Sequence, residues 1–163
     1  MIHHCVGNVT ELEPSHLAPI IIAHVVNDRG GWGAGFVMAL SRKWAEPERA
    51  YRAWGSKMGG YRLGSIQVVP VAPNLYVANM VAQAGYASRQ DPQPFRMVAA
   101  EECLKRLNTV AEALQATVHL PRIGAGLGGA DWGEVEALLH ACLSEATVYT
   151  LKAEIGKWPK VEY

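Results

Sequence analysis

The stretch His24-Val25-Val26-Asn27-Asp28-Arg29-Gly30-Gly31-Trp32-Gly33-Ala34-Gly35 carries more chemical information than any other part of the chain. Four of its last six residues are glycine. Without Cβ atoms, a ligand can approach the backbone closely. The apolar run Ile20-Ile21-Ile22-Ala23 precedes the stretch, and helical spacing from Phe36 to Trp44 follows it. A turn between a strand's end and a helix's start gathers free N–H groups and the positive end of a helix dipole at one point. That arrangement binds anions, and phosphate is the anion it most often serves.

A second glycine cluster repeats this logic. Gly124-Ala125-Gly126-Leu127-Gly128-Gly129 follows a short segment that reads as a strand, Thr117 to Leu120, and precedes a helix that begins at Trp132 with Asp131 as its N-cap. In an open α/β sheet such loops meet at the carboxyl ends of the strands. Two phosphate cradles at one rim suit a diphosphate. The redox dinucleotide fingerprint fails, because Phe36 stands where the third glycine belongs and no acidic residue ends a following strand about 20 residues on. The P-loop fails as well, since no Gly-Lys-Ser/Thr occurs.

The elements that must position these loops alternate between strand and helix patterns. Met1–Val6, Ile20–Val26, Ser65–Val69, Leu75–Ala82, Thr117–Leu120 and Ala146–Leu151 read as strands. Phe36–Trp54 reads as two helical pieces broken near Pro47, Phe95–Leu114 as one strong helix, and Trp132–Ser144 as another. In the Phe95–Leu114 helix, Phe95, Val98, Ala99, Cys103, Leu107, Val110, Ala111 and Leu114 form the expected apolar face. Pro73-Asn74 turns the third strand into the fourth, so a hairpin interrupts the alternation. The expectation is an α/β, three-layer α/β/α domain with a mixed sheet.

The 163 residues suffice for one domain with a sizeable core. Half are apolar and 18% charged, which excludes a disordered chain. Lys plus Arg and Asp plus Glu number 15 each, so strong non-specific nucleic-acid binding through phosphate neutralisation is not expected. Cys5, Cys103 and Cys142 are too few and too scattered for a disulfide framework or a zinc site. No apolar run reaches the about 18 residues of a membrane span, so no membrane partner is expected; separately, no metal and no cofactor is expected. A cytoplasmic protein is the expectation. Trp44 and Trp54 read as packing residues; Trp32 and Trp132, beside the glycine clusters, read equally as packing or site residues.

The two loops together resemble a known family. His24-Val25-Val26-Asn27 with Gly31-Trp32-Gly33-Ala34-Gly35-Phe36-Val37 resembles the distal-ribose loop of macro domains. Leu120-Pro121-Arg122-Ile123-Gly124-Ala125-Gly126-Leu127-Gly128-Gly129-Ala130-Asp131-Trp132 resembles their diphosphate loop. Its form is that of the branch containing the terminal ADP-ribose protein glycohydrolase and bacterial and phage relatives. Gly7-Asn8-Val9-Thr10 and Thr147–Leu151 match an early turn and a closing strand of that family. The resemblance covers residues 1–151 and leaves a tail, 152–163, that contains Trp158 and Tyr163.

The resemblance implies a macro-domain fold with a mixed, mostly parallel six-stranded sheet. It also implies ADP-ribose or a derivative as ligand, with ADP-ribosylated macromolecules as further partners. Asn8 and Val9 would meet the adenine, with Tyr149 and Leu151 across the ring. Gly124, Ala125, Gly126, Leu127 and Gly128 would cradle the diphosphate, with Arg122 and Ile123 beside them. Asn27, Gly31, Trp32, Gly33, Ala34, Gly35 and Phe36 would meet the distal ribose. Arg122 reads equally as a phosphate partner or a surface cap. His119 reads as structural, and Gln83 and Tyr86 could reach the ligand from a third side.

Two departures sharpen the expectation. Asn8 replaces an aspartate; its carbonyl can accept from the adenine amino group without charge assistance, which predicts weaker adenine binding. The branch's lysine nucleophile is also missing. Gln67-Val68-Val69-Pro70-Val71 holds no lysine, and Gly128 stands where an aspartate belongs. A Schiff-base route is therefore not expected. What remains is hydrolysis by positioning: water attacks a phosphate, ester or ADP-ribosyl linkage on the distal ribose, Asn27 orients the sugar, and Asp28 or His24 is the base. His24 also fits a buried strand-end histidine, and Asp28 a solvated turn residue. The alternative is a module that recognises ADP-ribose without turnover.

Overall fold

The structure is a computed structural model, and it describes residues 1–57 and 59–155. Trp158, Tyr163 and the rest of the tail beyond residue 155 lie outside the described residues. Six strands are formed: β1 (Ile2–Val6), β2 (Ile20–Asn27), β3 (Ile66–Ala72), β4 (Leu75–Gln83), β5 (Thr117–Pro121) and β6 (Ala146–Thr150). Four helices join them: α1 (Phe36–Lys43), α2 (Glu46–Gly55), α3 (Met97–Leu114) and α4 (Trp132–Cys142).

The sheet order is β1-β6-β5-β2-β4-β3. Every neighbouring pair is parallel except β3 and β4, which form the expected antiparallel hairpin around Pro73-Asn74. Asn74 takes the left-handed conformation (φ 57°) that asparagine tolerates in such a turn. Pro70 lies in β3, at the sheet's margin, the place in a sheet where a missing N–H does least harm. The domain is thus α/β with a mixed, mostly parallel sheet.

β2 is covered on both faces, which explains its unbroken apolar run. Ile20, Ile22 and Val26 point to a core with α1 and α2; Ile21 and Ala23 point to the opposite core with α3 and α4. This alternation makes the three layers. Pro47 does not break a helix; it sits in the first turn of α2, where its missing N–H is harmless. Asp131 caps α4, accepting from Glu134 N at 3.1 Å. No helix among the described residues is long and apolar enough to cross a membrane.

Two helix expectations need correction. α3 starts at Met97, not Phe95. Phe95 instead pairs with Gln83 as an antiparallel bridge, so the chain leaves Pro94 extended. Val98 and Leu114 are not on the buried face; they are 73% and 39% exposed. The real stripe is Ala99, Ala100, Cys103, Leu104, Leu107 and Ala111, and Val98 lies one residue round the helix from it. α4 also stops at Cys142, ahead of Ser144.

Candidate functional site

β5 lies beside β2 in the sheet, with Ile20–Ile22 paired to Thr117–His119. The two glycine loops therefore leave from the carboxyl ends of adjacent strands. Between them opens a cavity of about 860 Å³. Its walls come from Gly7–Val9, the ends of β2 and β4, the start of α1, the loop after β5, and the segment after β6. Every strand contribution lies at a carboxyl end, as expected for an open α/β sheet. Leu127 of the second loop reaches the first: a Cβ on Gly35 would lie 3.2 Å from its Cδ1.

The first loop is braced by side chains. Asn27 Oδ1 accepts from Arg29 N (2.9 Å), Gly31 N (3.1 Å) and the Tyr51 hydroxyl (3.1 Å), while Asn27 Nδ2 donates to Gly31 O (2.9 Å). Tyr51, fully buried, donates to Asn27 O at 2.5 Å and accepts from Gly30 N at 3.1 Å. Burial raises its phenol well above the ordinary value, so it stays protonated. Asn27 thus lines the cavity with its oxygen already crowded and one of its two amide hydrogens committed to Gly31 O.

The second loop is braced by backbone and by lack of side chains. Gly124 and Gly129 hold positive φ (74° and 70°). Ala130 N donates to Gly124 O (2.9 Å) and Gly129 N to Gly126 O (3.1 Å). A Cβ on Gly124 would lie 2.8 Å from the Phe95 ring, and one on Gly128 would lie 2.7 Å from Gly124 O. Each loop nevertheless has one glycine, Gly33 and Gly126, whose Cβ would meet nothing within 4 Å.

Most of the sequence-predicted site residues meet here: Asn8, Val9, Asn27, Gly31, Gly33–Phe36, Arg122–Gly124, Gly126–Gly128, Tyr149 and Leu151 all line the cavity. Trp32 and Ala125 do not. Trp32 is buried in the α1/α2 core, and its Nε1 donates to Ser41 Oγ at 2.7 Å, pinning the loop onto α1. Ala125 packs toward the opposite core. Gln83 and Tyr86 do reach the cavity from a third side. Arg42, Ala39 and Glu154 also line it; nothing in their sequence context marked them. Trp132 packs in the α3/α4 core, with the Arg122 guanidinium 4.9 Å over its ring.

The two candidate bases are placed poorly for that task. His24 lines the cavity wall but is 1% exposed, packed against the rings of Trp32 and Phe36 at 5.5 and 5.7 Å. Its Nε2 meets Asn79 Oδ1 at 2.5 Å. Asn79 Nδ2 donates to Pro47 O and Gln67 Oε1, which fixes Oδ1 toward His24 and makes Nε2 the protonated nitrogen. Burial pulls the His24 pKa down to about 4, so the ring is neutral and weakly basic at pH 7. Asp28 is absent from the cavity wall; its Oδ1 accepts from Gly85 N at 2.8 Å and ties the loop after β4 to the first loop.

Asn8 also differs from expectation. Its Oδ1 already accepts from Thr10 N (3.0 Å) and Thr10 Oγ (2.7 Å), so that carbonyl is not the group offered to a ligand. Arg122 Nε donates to Thr150 Oγ at 2.8 Å, which holds the side chain against the sheet. The Tyr149 hydroxyl bonds His119 Nδ1 at 3.0 Å, leaving its ring to face the cavity. Burial pushes the Tyr149 phenol up to about 12 and lowers the His119 pKa.

No family model matches the chain. Among known proteins, it is 31% identical to the zebrafish (Danio rerio) chromodomain-helicase-DNA-binding protein 1-like over 91% of its own length. It spans only 15% of that relative. It is 25% identical to an ADP-ribose 1″-phosphate phosphatase of Lodderomyces elongisporus, covering 77% of the chain and 84% of the relative. It is 29% identical to a DNA ADP-ribosyl glycohydrolase of Thermus aquaticus, covering 84% of the chain and 36% of the relative. Among solved structures, a macrodomain protein of Streptomyces coelicolor superposes with a TM-score of 0.78 at 41% identity, over 92% of this chain and 99% of that one. Identity at that level across a whole solved domain, joined to the mixed six-stranded sheet, makes this chain a member of the macrodomain family.

Proposed function

We propose that the protein binds ADP-ribose or a close derivative and hydrolyses a substituent from its distal ribose without a lysine nucleophile. One observation carries the binding: both glycine loops wall a single cavity of a size suited to a small ligand, and each turns an unobstructed glycine, Gly33 or Gly126, to open space. In this reading Gly124–Gly128 cradle the diphosphate with N–H groups, and Asn27 with Gly33–Phe36 holds the distal ribose. The relatives named as phosphatase and glycohydrolase support the hydrolytic step. For an ester or phosphate, water attacks the substituent, its bond to the ribose oxygen breaks, and that oxygen regains a proton from the same water. Positioning supplies most of the acceleration.

A second reading, recognition without turnover, is favoured by Asp28, which is absent from the cavity wall and bonded to Gly85 N, and by the burial and low basicity of His24. Calorimetry with ADP-ribose, followed by product detection with ADP-ribose 1″-phosphate, acetylated ADP-ribose and an ADP-ribosylated acceptor, separates the two. The proposal expects heat with ADP-ribose and product from at least one derivative. Gly33→Glu should weaken binding at least about 100-fold at unchanged Tm, because a carboxylate would occupy the anion's approach. Binding with no product supports the second reading. No heat, or wild-type affinity in Gly33→Glu, defeats the phosphate-cradle assignment.

A further inference from the structure

Between Glu48 and Asp91 the chain carries Arg49, Arg52, Lys57, Arg62 and Arg89 and no acidic residue. The overall balance of 15 basic and 15 acidic residues therefore hides a local bias. The fold brings part of this segment against the first glycine loop, on the side away from the cavity. Arg52 Nη1 donates to Gly30 O at 3.3 Å, while its Nη2 pairs with Glu48 at 3.0 Å. Arg29 lies along the loop after β4: a Cβ on Gly85 would be 3.3 Å from its Nε and 3.4 Å from its Cζ. Its neighbour Asp28 is committed to Gly85 N at 2.8 Å. Among the described residues no ion pair holds Arg29, Lys57, Arg62 or Arg89, and all four are exposed.

Two tyrosines stand among these cations, resting on consecutive glycines. A Cβ on Gly30 would be 3.2 Å from the Tyr61 hydroxyl, and one on Gly31 would be 2.6 Å from Tyr86 Cε1. Tyr61 is backed by Tyr51, with ring centroids 4.6 Å apart, and by Trp54 at 6.3 Å. It holds a φ of 57°, a left-handed conformation that costs a bulky residue energy and persists only where packing enforces it. Tyr86 is 54% exposed, although the residue before it is tied down twice, by Gly85 N to Asp28 and by Gln83 Nε2 to Gly85 O at 3.0 Å. Its ring is thus held against the loop and left open to solvent. Tyr86 also lines the cavity, whereas Arg29, Arg52 and Tyr61 do not.

An open aromatic face takes a stacked nucleobase, and guanidinium groups on either side of it take phosphates. Cations interleaved with aromatic rings hold single strands with little regard to sequence. A duplex keeps its base faces stacked inside, so the Tyr86 ring would gain nothing from it. An acidic peptide would use the cations and leave the ring idle.

We propose that Arg29, Arg52, Tyr61 and Tyr86 form a docking surface for single-stranded nucleic acid, with a base stacked on Tyr86 and phosphates at Arg29 and Arg52. Because Tyr86 belongs to both surface and cavity, a docked strand passes the mouth at which the distal ribose would sit. That last point rests on the reading that the first loop holds the distal ribose; the docking itself does not. The test is fluorescence anisotropy of the full chain with a labelled oligo(dT) of about 12 nucleotides. Binding should weaken as salt rises, with a log–log slope of about −0.7 for each phosphate contacted. Tyr86→Ala should weaken it at least about five-fold, the loss of one stacked base. Arg29→Glu should weaken it comparably and flatten the salt dependence, while its calorimetric affinity for ADP-ribose and its Tm stay at wild-type values. No binding at low salt, wild-type affinity in both variants, or equal affinity for the matching duplex or for an oligoglutamate overturns the docking surface. Each of those results leaves the cavity assignment to be decided by ADP-ribose calorimetry alone, so the two readings fail separately.

Discussion

The two glycine loops border one cavity but are held in opposite ways. The first, from Asn27 to Gly35, is a tent on side-chain poles: Asn27 and Tyr51 spend polar atoms on its backbone, Trp32 on the helix beside it, and Asp28 on the loop after β4. The second, from Gly124 to Gly129, is held by its own backbone bonds and by contacts so close that side chains are excluded. Similar composition therefore has different causes. Glycine provides access in both loops; a side chain on Gly31 would run into the tip of the Tyr86 side chain, whereas one on Gly128 would run into the backbone of its own loop at Gly124 O.

That contrast can be broken from the second loop first. Gly124→Ala combines a positive φ with a Cβ 2.8 Å from the Phe95 ring. Left-handed strain and overpacking together should destabilise the domain by about 2–5 kcal/mol. Denaturant unfolding would register this, and a variant as stable as wild type would mean that the loop moves freely. In a Phe95→Ala background, itself destabilised by loss of a buried ring, Gly124→Ala should cost less than in wild type, because the ring is the obstacle.

Acid should act on the first loop, through His24. Its folded pKa is about 4 against an ordinary value of 6.5, so between those limits the unfolded chain holds more protons. Stability contributed by the neutral ring is complete above about pH 6.5 and is lost as pH falls toward 4. The shift amounts to about 3 kcal/mol. The buried His119 changes in the same direction. Unfolding midpoints at pH 7, 5.5 and 4.5 should fall steadily in wild type and less steeply in His24→Gln. Identical slopes would remove His24 from the account.

The smallest effect is expected from Tyr51→Phe. It removes the hydroxyl that donates to Asn27 O and accepts from Gly30 N, at a cost of about 1–2 kcal/mol. Amide exchange should quicken at Gly30 and Gly31 while Gly129 and Ala130 stay protected. Equal quickening in both loops would deny that the two are braced separately.

The sequence carried the architecture well where one physical signal dominated. Ile20–Ile22 with Ala23 is apolar on successive residues because both faces are covered, and Pro73-Asn74 marks a hairpin through turn chemistry alone. It was less legible where tertiary pairing competes with local preference. Phe95 continues the helical spacing of α3, yet its backbone is taken by Gln83 across the fold. Val98 is apolar and near the stripe, but spacing alone does not say which edge of the stripe meets solvent. In the site, the glycines were legible because they are needed as glycines. The roles of polar side chains were not. Whether His24, Asp28 and Asn8 face a ligand or the protein depends on Asn79, Gly85 and Thr10, and only for Thr10 is the partner close in sequence.

Pro70 lies on β3, an outermost strand of the sheet, next to a register shift between Pro70 and Ala72. An open strand margin is a template on which a second copy's strand can stack into a growing fibre. A residue with no amide hydrogen, beside an irregular pairing, interrupts that template. Pro70 thus guards the molecule against polymerising through its own edge.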